Sequence, residues 1–306
     1  MIKKTSTQLC TAMLALAMMV LAAFPTHAQS SHKSFDFFVG VDFGASDMNF
    51  VRQYDLLLGV KPGFKWNMGS YWELAGMTNI TLLNQIAPEY SGFYNTMLVV
   101  SKQMKLGGLY GKVSAGLFDS ERYGVDVKAF LPVADWFAFE AQAGLTGLCT
   151  FHGGLYFNEW MMSNMERFSG TIGGDIYLTR WNTQLRGTIG RYVYKDYGFE
   201  CEAMRHFKHS TITLFGHWSN LGKTEAGFKI IAMIPPYHRK QHKINIRPIS
   251  NFRIQYYING SQYSNKIYRT DPEENERDGW FSRDLLNWGS HTMEPDFTTN
   301  NKEENQ

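Results

Sequence analysis

Runs of roughly ten residues in which every second side chain is apolar recur along almost the whole chain, and no other feature limits the fold so strongly. In residues 136–145, Phe137, Phe139, Ala141, Ala143 and Leu145 share one face, while Ala138, Glu140, Gln142 and Gly144 share the other. In 171–179, Ile172, Gly174, Ile176 and Leu178 oppose Thr171, Gly173, Asp175, Tyr177 and Thr179. Residues 108–118 and 124–131 repeat the pattern, with Val113 and Val127 against Lys112, Asp126 and Lys128. A period of two places successive side chains on opposite faces of a β-strand. About fourteen strands are expected by this criterion, starting near residues 35, 54, 69, 93, 108, 123, 136, 154, 170, 184, 198, 210, 224 and 250. Short turns are expected at Gly107-Gly108, Asp119-Ser120 and Lys208-His209. No helical stripe interrupts the pattern after the first residues.

Residues 1–28 are different. Lys3 and Lys4 precede an apolar run at 12–24, and Thr26-His27-Ala28 supplies a small-x-small cleavage site, so a secretory signal peptide is expected. The run is too short to span a bilayer as a helix. Without Lys3 and Lys4 the chain carries 28 basic and 28 acidic residues, which leaves no net charge to attract nucleic acid. A mean hydropathy of -0.30 and the lack of long apolar runs exclude a bundle of membrane-spanning helices. Beyond the leader only Cys149 and Cys201 remain, too few for a disulfide framework or a zinc site; two small apolar side chains are favoured over a pair.

An exported all-β chain with this patterning suits a soluble sandwich or solenoid, or a membrane β-barrel. Three features favour the barrel. Each run has about the 9–11 residues that a tilted strand needs to cross a bilayer, and the chain is exported. Charges recur along the strands on the polar face (Lys112, Asp126, Lys128, Glu140, Asp175, Arg186), as a wet lumen tolerates. Aromatic residues such as Trp66, Trp72, Trp136, Trp181 and Trp218 fall at strand ends, where interfacial girdles place them. The expected fold is therefore an all-β, antiparallel transmembrane barrel of the outer-membrane type, with about 12–14 strands and an even number of them. Residues 29–260 form it. Residues 261–306 form a polar extension, disordered from about 294.

That extension begins after a change of sign. Residues 237–269 carry seven bases and no acid, and 271–306 carry ten acids and three bases. Asp271-Pro272-Glu273-Glu274-Asn275-Glu276 is expected to be an exposed turn or loop, with Glu273 a tail acid. Trp280, Phe281, Leu285, Leu286 and Trp288 are expected to dock a short segment. Opposite charges in neighbouring stretches can also fold against each other.

No enzyme signature persuades. There is no Gly-x-Ser-x-Gly elbow, phosphate loop or His-Glu-x-x-His motif. His206 and His209 lie near a strand end, which is poor metal spacing. His217 and Ser219 share a strand face, but no acid on that stretch orients the histidine. Neither a catalytic site, a cofactor nor a metal is expected.

The most informative stretch is 188–236. It runs through Gly190-Arg191-Tyr192, Asp196, Gly198, Glu200, Glu202, Arg205 and Phe207, then Ala226-Gly227-Phe228-Lys229 and Ile234-Pro235-Pro236. Glu200 and Glu202 share the polar face of their strand. Arg191 and Arg205 fall by parity on the apolar face, where a midplane arginine facing lipid costs about 2–4 kcal/mol. Each is therefore at a membrane edge, snorkelling, or turned inward by a bulge. This order of residues resembles the YjbH-like family of Gram-negative outer-membrane proteins of exopolysaccharide and capsule assembly: a Gly-Arg-Tyr strand, an Asp-x-Gly turn, a strand ending Arg-x-Phe, and a Phe-containing strand closing in Ile-Pro. The resemblance implies an outer-membrane location and a non-enzymatic part in polysaccharide assembly or secretion. The implied partners are polysaccharide, outer-membrane lipid and other envelope proteins of the export pathway. Tyr110, Phe130, Tyr177, Arg191, Asp196, Glu200, Glu202, Arg205 and Lys229 are the candidate glycan or lumen contacts. The alternative is a general porin or small-solute channel, which would more often line an open pore with opposed charges.

Overall fold

The computed structural model describes residues 34–46, 55–85, 92–150, 156–157, 164–207, 210–221, 224–233, 244–249, 251–258 and 268–273. The leader, the Lys208-His209 turn, and Trp280, Phe281, Leu285, Leu286 and Trp288 lie outside them. The alternating segments form β1 (Ser34–Ser46), β2 (Asp55–Gly69), β3 (Trp72–Asn84), β4 (Phe93–Leu106), β5 (Leu109–Phe118), β6 (Arg122–Ala134), β7 (Phe137–Thr150), β8 (Tyr156–Phe157), β9 (Phe168–Leu178), β10 (Thr183–Arg191), β11 (Tyr197–His206), β12 (Ser210–Ser219), β13 (Glu225–Met233), β14 (Ile244–Pro248) and β15 (Asn251–Ile258). The α-helix Asn164–Arg167 is a single turn. Each strand start expected from the alternation lies within a few residues of an observed one. β14 is the strand that the alternation missed; it is five residues long and sits inside the basic stretch.

All strands except the two-residue β8 join one sheet in the order β14-β1-β2-β3-β4-β5-β6-β7-β9-β10-β11-β12-β13-β15. Neighbours are antiparallel with one exception, because β1 pairs with β14 in parallel, Phe35 opposite Ile244 through Val39 opposite Pro248. The expectation of a wholly antiparallel sheet is corrected at that pair. The reason is directional. Twelve alternating strands, β1–β7 and β9–β13, leave the chain pointing against β1, so the strand that follows runs with β1. β15 pairs antiparallel with β13, so β14 and β15 share one direction. Only Ile249 and Ser250 separate them, and the Ile249 amide donates to the Val39 carbonyl (2.9 Å).

The two faces of the sheet differ sharply. One carries exposed apolar side chains strand after strand, among them Val41, Leu98, Val127, Phe139, Ile172, Ile189, Phe199, Leu214 and Ile230. The other is buried and charged, with Asp36, Lys65, Lys112, Asp126, Asp175, Arg186, Glu202 and Lys229. Apolar side chains on this inner face form two clusters, one around Phe38, Met97 and Phe118 and one around Tyr110, Phe130 and Tyr177. Cys149 is buried, Cys201 is exposed, and both are free thiols.

The links also differ between the two ends of the sheet. At one end they are 70–71, 107–108, 135–136, 179–182 and 207–209. Gly107 (φ 60°), Ser70 (φ 53°) and Tyr71 (φ 64°) take the left-handed conformation that two-residue hairpin turns require. The ten-residue link 234–243 leaves β13 at this same end, and at the other end the links are 47–54, 85–92, 119–121, 151–167, 192–196 and 220–224.

Candidate functional site

The polar face concentrates charge in two places. The first spans β7 to β13. On β10 Arg186 stands directly opposite Asp175 of β9 and Glu202 of β11. Its Nε donates to Asp175 Oδ1 (2.9 Å) and its Nη1 to Glu202 Oε2 (3.4 Å), and Glu140 lies 3.8 Å away. Gln184 adds a donor to the same Asp175 oxygen (2.7 Å). Lys229 Nζ crosses β12 to Glu202 Oε1 (2.7 Å), passing over the Phe215 ring. Opposite charges on facing strands attract, and burial removes the water that would screen them.

The second site is made by a later segment of the same chain. After β15, Tyr268–Glu273 returns to the polar face and is held by strands on both sides of it. The Tyr268 hydroxyl donates to Asp126 Oδ2 (2.8 Å) and lies 3.2 Å from Ser169 Oγ, and its ring stacks on Phe118 (5.4 Å between centroids). Room for that hydroxyl exists because residue 144 is glycine; a Cβ there would collide with it. Arg269 pairs with Asp119. Asp271 receives Lys112 Nζ on Oδ2 (2.9 Å) and Lys65 Nζ on Oδ1 (3.1 Å). Glu273 is gripped at both oxygens by Arg247 (2.6 and 2.8 Å), and Lys65 lies 3.5 Å away. The expectation of an exposed turn is therefore corrected for Asp271, Pro272 and Glu273: three cations offset the cost of removing two carboxylates from water. Residues 274–276 lie outside the described residues.

Burial alone would raise the Asp271 carboxyl, but Lys112 and Lys65 outweigh it and hold it well below the usual carboxylate range. For Glu273 burial is outweighed in the same way by the Arg247 hydrogen bonds and by Lys65. Burial and the Asp126 carboxylate push the Tyr268 phenol well above its ordinary value. A depressed folded-state pKa stabilises above the ordinary value, and that contribution disappears as pH falls through the folded value. The docked segment is thus expected to keep full protection at neutral pH and to lose it progressively below about pH 4, where free carboxyls begin to protonate. Asp36 and Glu73, beside Arg247 and Lys65, face the same cations. Hydrogen exchange at 268–273, corrected for intrinsic rate, measures this; protection that rises on acidification contradicts the assignment.

The candidate residues from the sequence divide. Tyr110, Phe130 and Tyr177 lie together on the polar face. Glu202 and Lys229 belong to the Arg186 network. Glu200 is buried on the same face, opposite His217. His217 also stands opposite Glu225 of β13, so pairing places acids beside it that its own strand lacks; its ring meets Tyr192 edge-on (5.4 Å). Asp196 is a turn residue whose Oδ1 accepts from the Leu221 amide (2.9 Å). Arg191 and Arg205 project from the apolar face near strand ends, away from the networks: Arg191 lies over Phe168 and Tyr197, and Arg205 over Phe207. Sequence reasoning missed Lys65, Arg247, Tyr268, Asp271 and Glu273 as members of one site. The change of sign near residue 270 was the one signal that pointed to it.

Among the described residues, no group of three or more His, Cys, Asp or Glu side chains is placed to hold a metal ion, and no helix is long and apolar enough to cross a membrane. Compared with models of known protein families, with curated proteins and with solved structures, the chain matches none.

Proposed function

We propose that this chain is a barrel of the bacterial outer membrane that takes part, without catalysing a reaction, in exopolysaccharide assembly or secretion. The observation that carries the membrane location is the inverted distribution of polarity, charge buried on one face and large apolar side chains exposed on the other. Each large apolar side chain left in water forgoes about 1.5–3 kcal/mol, and the exposed face repeats that on most strands, so lipid is its fitting solvent. Three further observations support the barrel. The twelve strands β1–β7 and β9–β13 run 9 to 15 residues, enough to cross the apolar band when tilted. Among the hairpins from β1 to β13, links of two to four residues gather at one end of the sheet and links of three to seventeen at the other, an asymmetry that outer-membrane barrels also have. The two ends of the sheet are both formed by one stretch of chain, β14 on β1 and β15 on β13 with two residues between them, an arrangement that suits a sheet curling towards closure.

Support for polysaccharide comes from the order of short motifs in 188–236 and from Tyr110, Phe130 and Tyr177, whose rings share the charged inner face and could stack on sugar. The partners that follow are polysaccharide, outer-membrane lipid and envelope proteins of export. A small-solute channel is the second reading, favoured by the opposed charges around Arg186. Two measurements decide. The protein is expected to fractionate with outer membrane and to migrate differently before and after boiling; an unchanged band, or a soluble detergent-free monomer, counts against the barrel. Deleting the gene is expected to lower released polysaccharide and leave small-solute uptake intact; the converse selects the channel.

A further inference from the structure

We infer that the inner face carries a binding site for the carboxylates of an acidic polysaccharide, filled in this structure by the chain's own Asp271 and Glu273. The inference rests on the barrel proposed above and deepens it by naming the charge class of the glycan. The site comes from strands far apart in sequence: Lys65 on β2, Lys112 on β5 and Arg247 on β14. Lys128 of β6 stands directly opposite Lys112, and both are buried. Like charges in direct cross-strand register repel, so this pair favours an anion beside it, and Asp271 is that anion at Lys112. Arg247 presents two parallel donors to both oxygens of Glu273, the fork that recognises a carboxylate rather than any point charge. With the two acids withdrawn, Lys65 keeps Glu73 and Arg247 keeps Asp36 beside it, while Lys65, Lys112 and Arg247 lose the carboxylates of Asp271 and Glu273.

The occupant is tethered, not built into a strand. Tyr268–Glu273 is joined to the sheet by side chains, by the Tyr268 slot at Gly144, and by one amide, Asp119 N, donating to the Arg269 carbonyl (3.2 Å). A chain of uronic acids offers carboxylates at spacings that the same cations can hold, so it competes with the tail for them. The tail is therefore a plug that anionic glycan displaces.

The test uses the full chain in planar bilayers, with oligogalacturonate as the probe, maltohexaose as the neutral control and glutarate as the small carboxylate. D271N/E273Q removes the tail's charge. Gly144→Ala removes its slot and leaves every charge in place, so it serves should the first variant fold poorly. Each is expected to raise conductance and to lower the half-blocking concentration of oligogalacturonate by about tenfold or more, since a site occupied in cis binds with the fraction of molecules in which it is empty. Adding K65M/K112M to D271N/E273Q is expected to abolish the gain, and maltohexaose block is expected to stay unchanged. Variants that keep the heat-dependent mobility shift but block like the unmodified chain overturn the site. Glutarate blocking as well as oligogalacturonate overturns the polysaccharide assignment. Absence of the mobility shift in the unmodified chain overturns the barrel instead.

Discussion

Replacing Arg186 with Met is expected to destabilise the folded chain by about 3–5 kcal/mol, the loss that follows when one member of a buried ion pair is removed. The guanidinium sits between Asp175 and Glu202, and the three side chains are 1%, 0% and 2% exposed, so water screens them little. Without it Asp175 keeps the Gln184 amide and Glu202 keeps Lys229, but Glu140, Asp175 and Glu202 lose the cation they share. Removing Glu202 and Lys229 together, as E202Q/K229M, is expected to cost less, because charge is withdrawn in a balanced pair and the Arg186–Asp175 contact survives. Denaturant midpoints, followed by the gel mobility of the folded form, give both values. A loss below about 1 kcal/mol for Arg186→Met would place the network among solvated pairs and remove the case for a dry charged interior.

Gly198→Ala and Gly190→Ala are each expected to cost about 1–3 kcal/mol or more, the usual cost of forcing atoms into filled space. These glycines belong to the Gly-Arg-Tyr and Asp-x-Gly motifs, and they face each other across β10 and β11. A Cβ on Gly198 would run into the Trp218 carbonyl oxygen of β12, and one on Gly190 into the Gly170 carbonyl oxygen of β9. The obstructing atoms are backbone, so relief requires the strands to separate. Gly187, in the same strand as Gly190, has nothing within 4 Å of its own Cβ position. Gly187→Ala is therefore expected to be neutral or slightly stabilising, and thermal unfolding of the three variants compares them directly. Equal effects at all three positions would mean that strand propensity, not close approach, governs these sites. The motif glycines thus have a packing explanation that holds whatever the protein does.

Glu202 and Arg205 illustrate what could be seen in advance. Parity alone puts Glu202 with Glu200 on one face and Arg205 on the other, and the structure has them so, because the direction of a side chain in a strand depends only on its place in a two-residue period. The same local rule recovered the strand starts and the inverted faces. It had no purchase on Asp271 and Glu273. A proline among acids has the composition of an exposed turn, and nothing within ten residues on either side reveals two lysines waiting to receive it. Asp196 was open to a lumen role on composition; only the neighbouring loop shows that its carboxylate holds the Leu221 amide.

By itself the sequence determined the strand-rich class, the approximate strand boundaries and which side chains share a face, since each follows from alternation inside a window of about ten residues. Tertiary structure decided which charges meet. Arg186 finds Asp175 and Glu202 only through the β9–β10–β11 register, and Lys65 reaches Asp271 across 206 residues of chain. It also decided that the last strand runs with the first, because that direction depends on how many strands came before. The physical reason is the range of the forces: the alternation is written residue by residue, whereas a buried cation takes whichever carboxylate the fold brings to it.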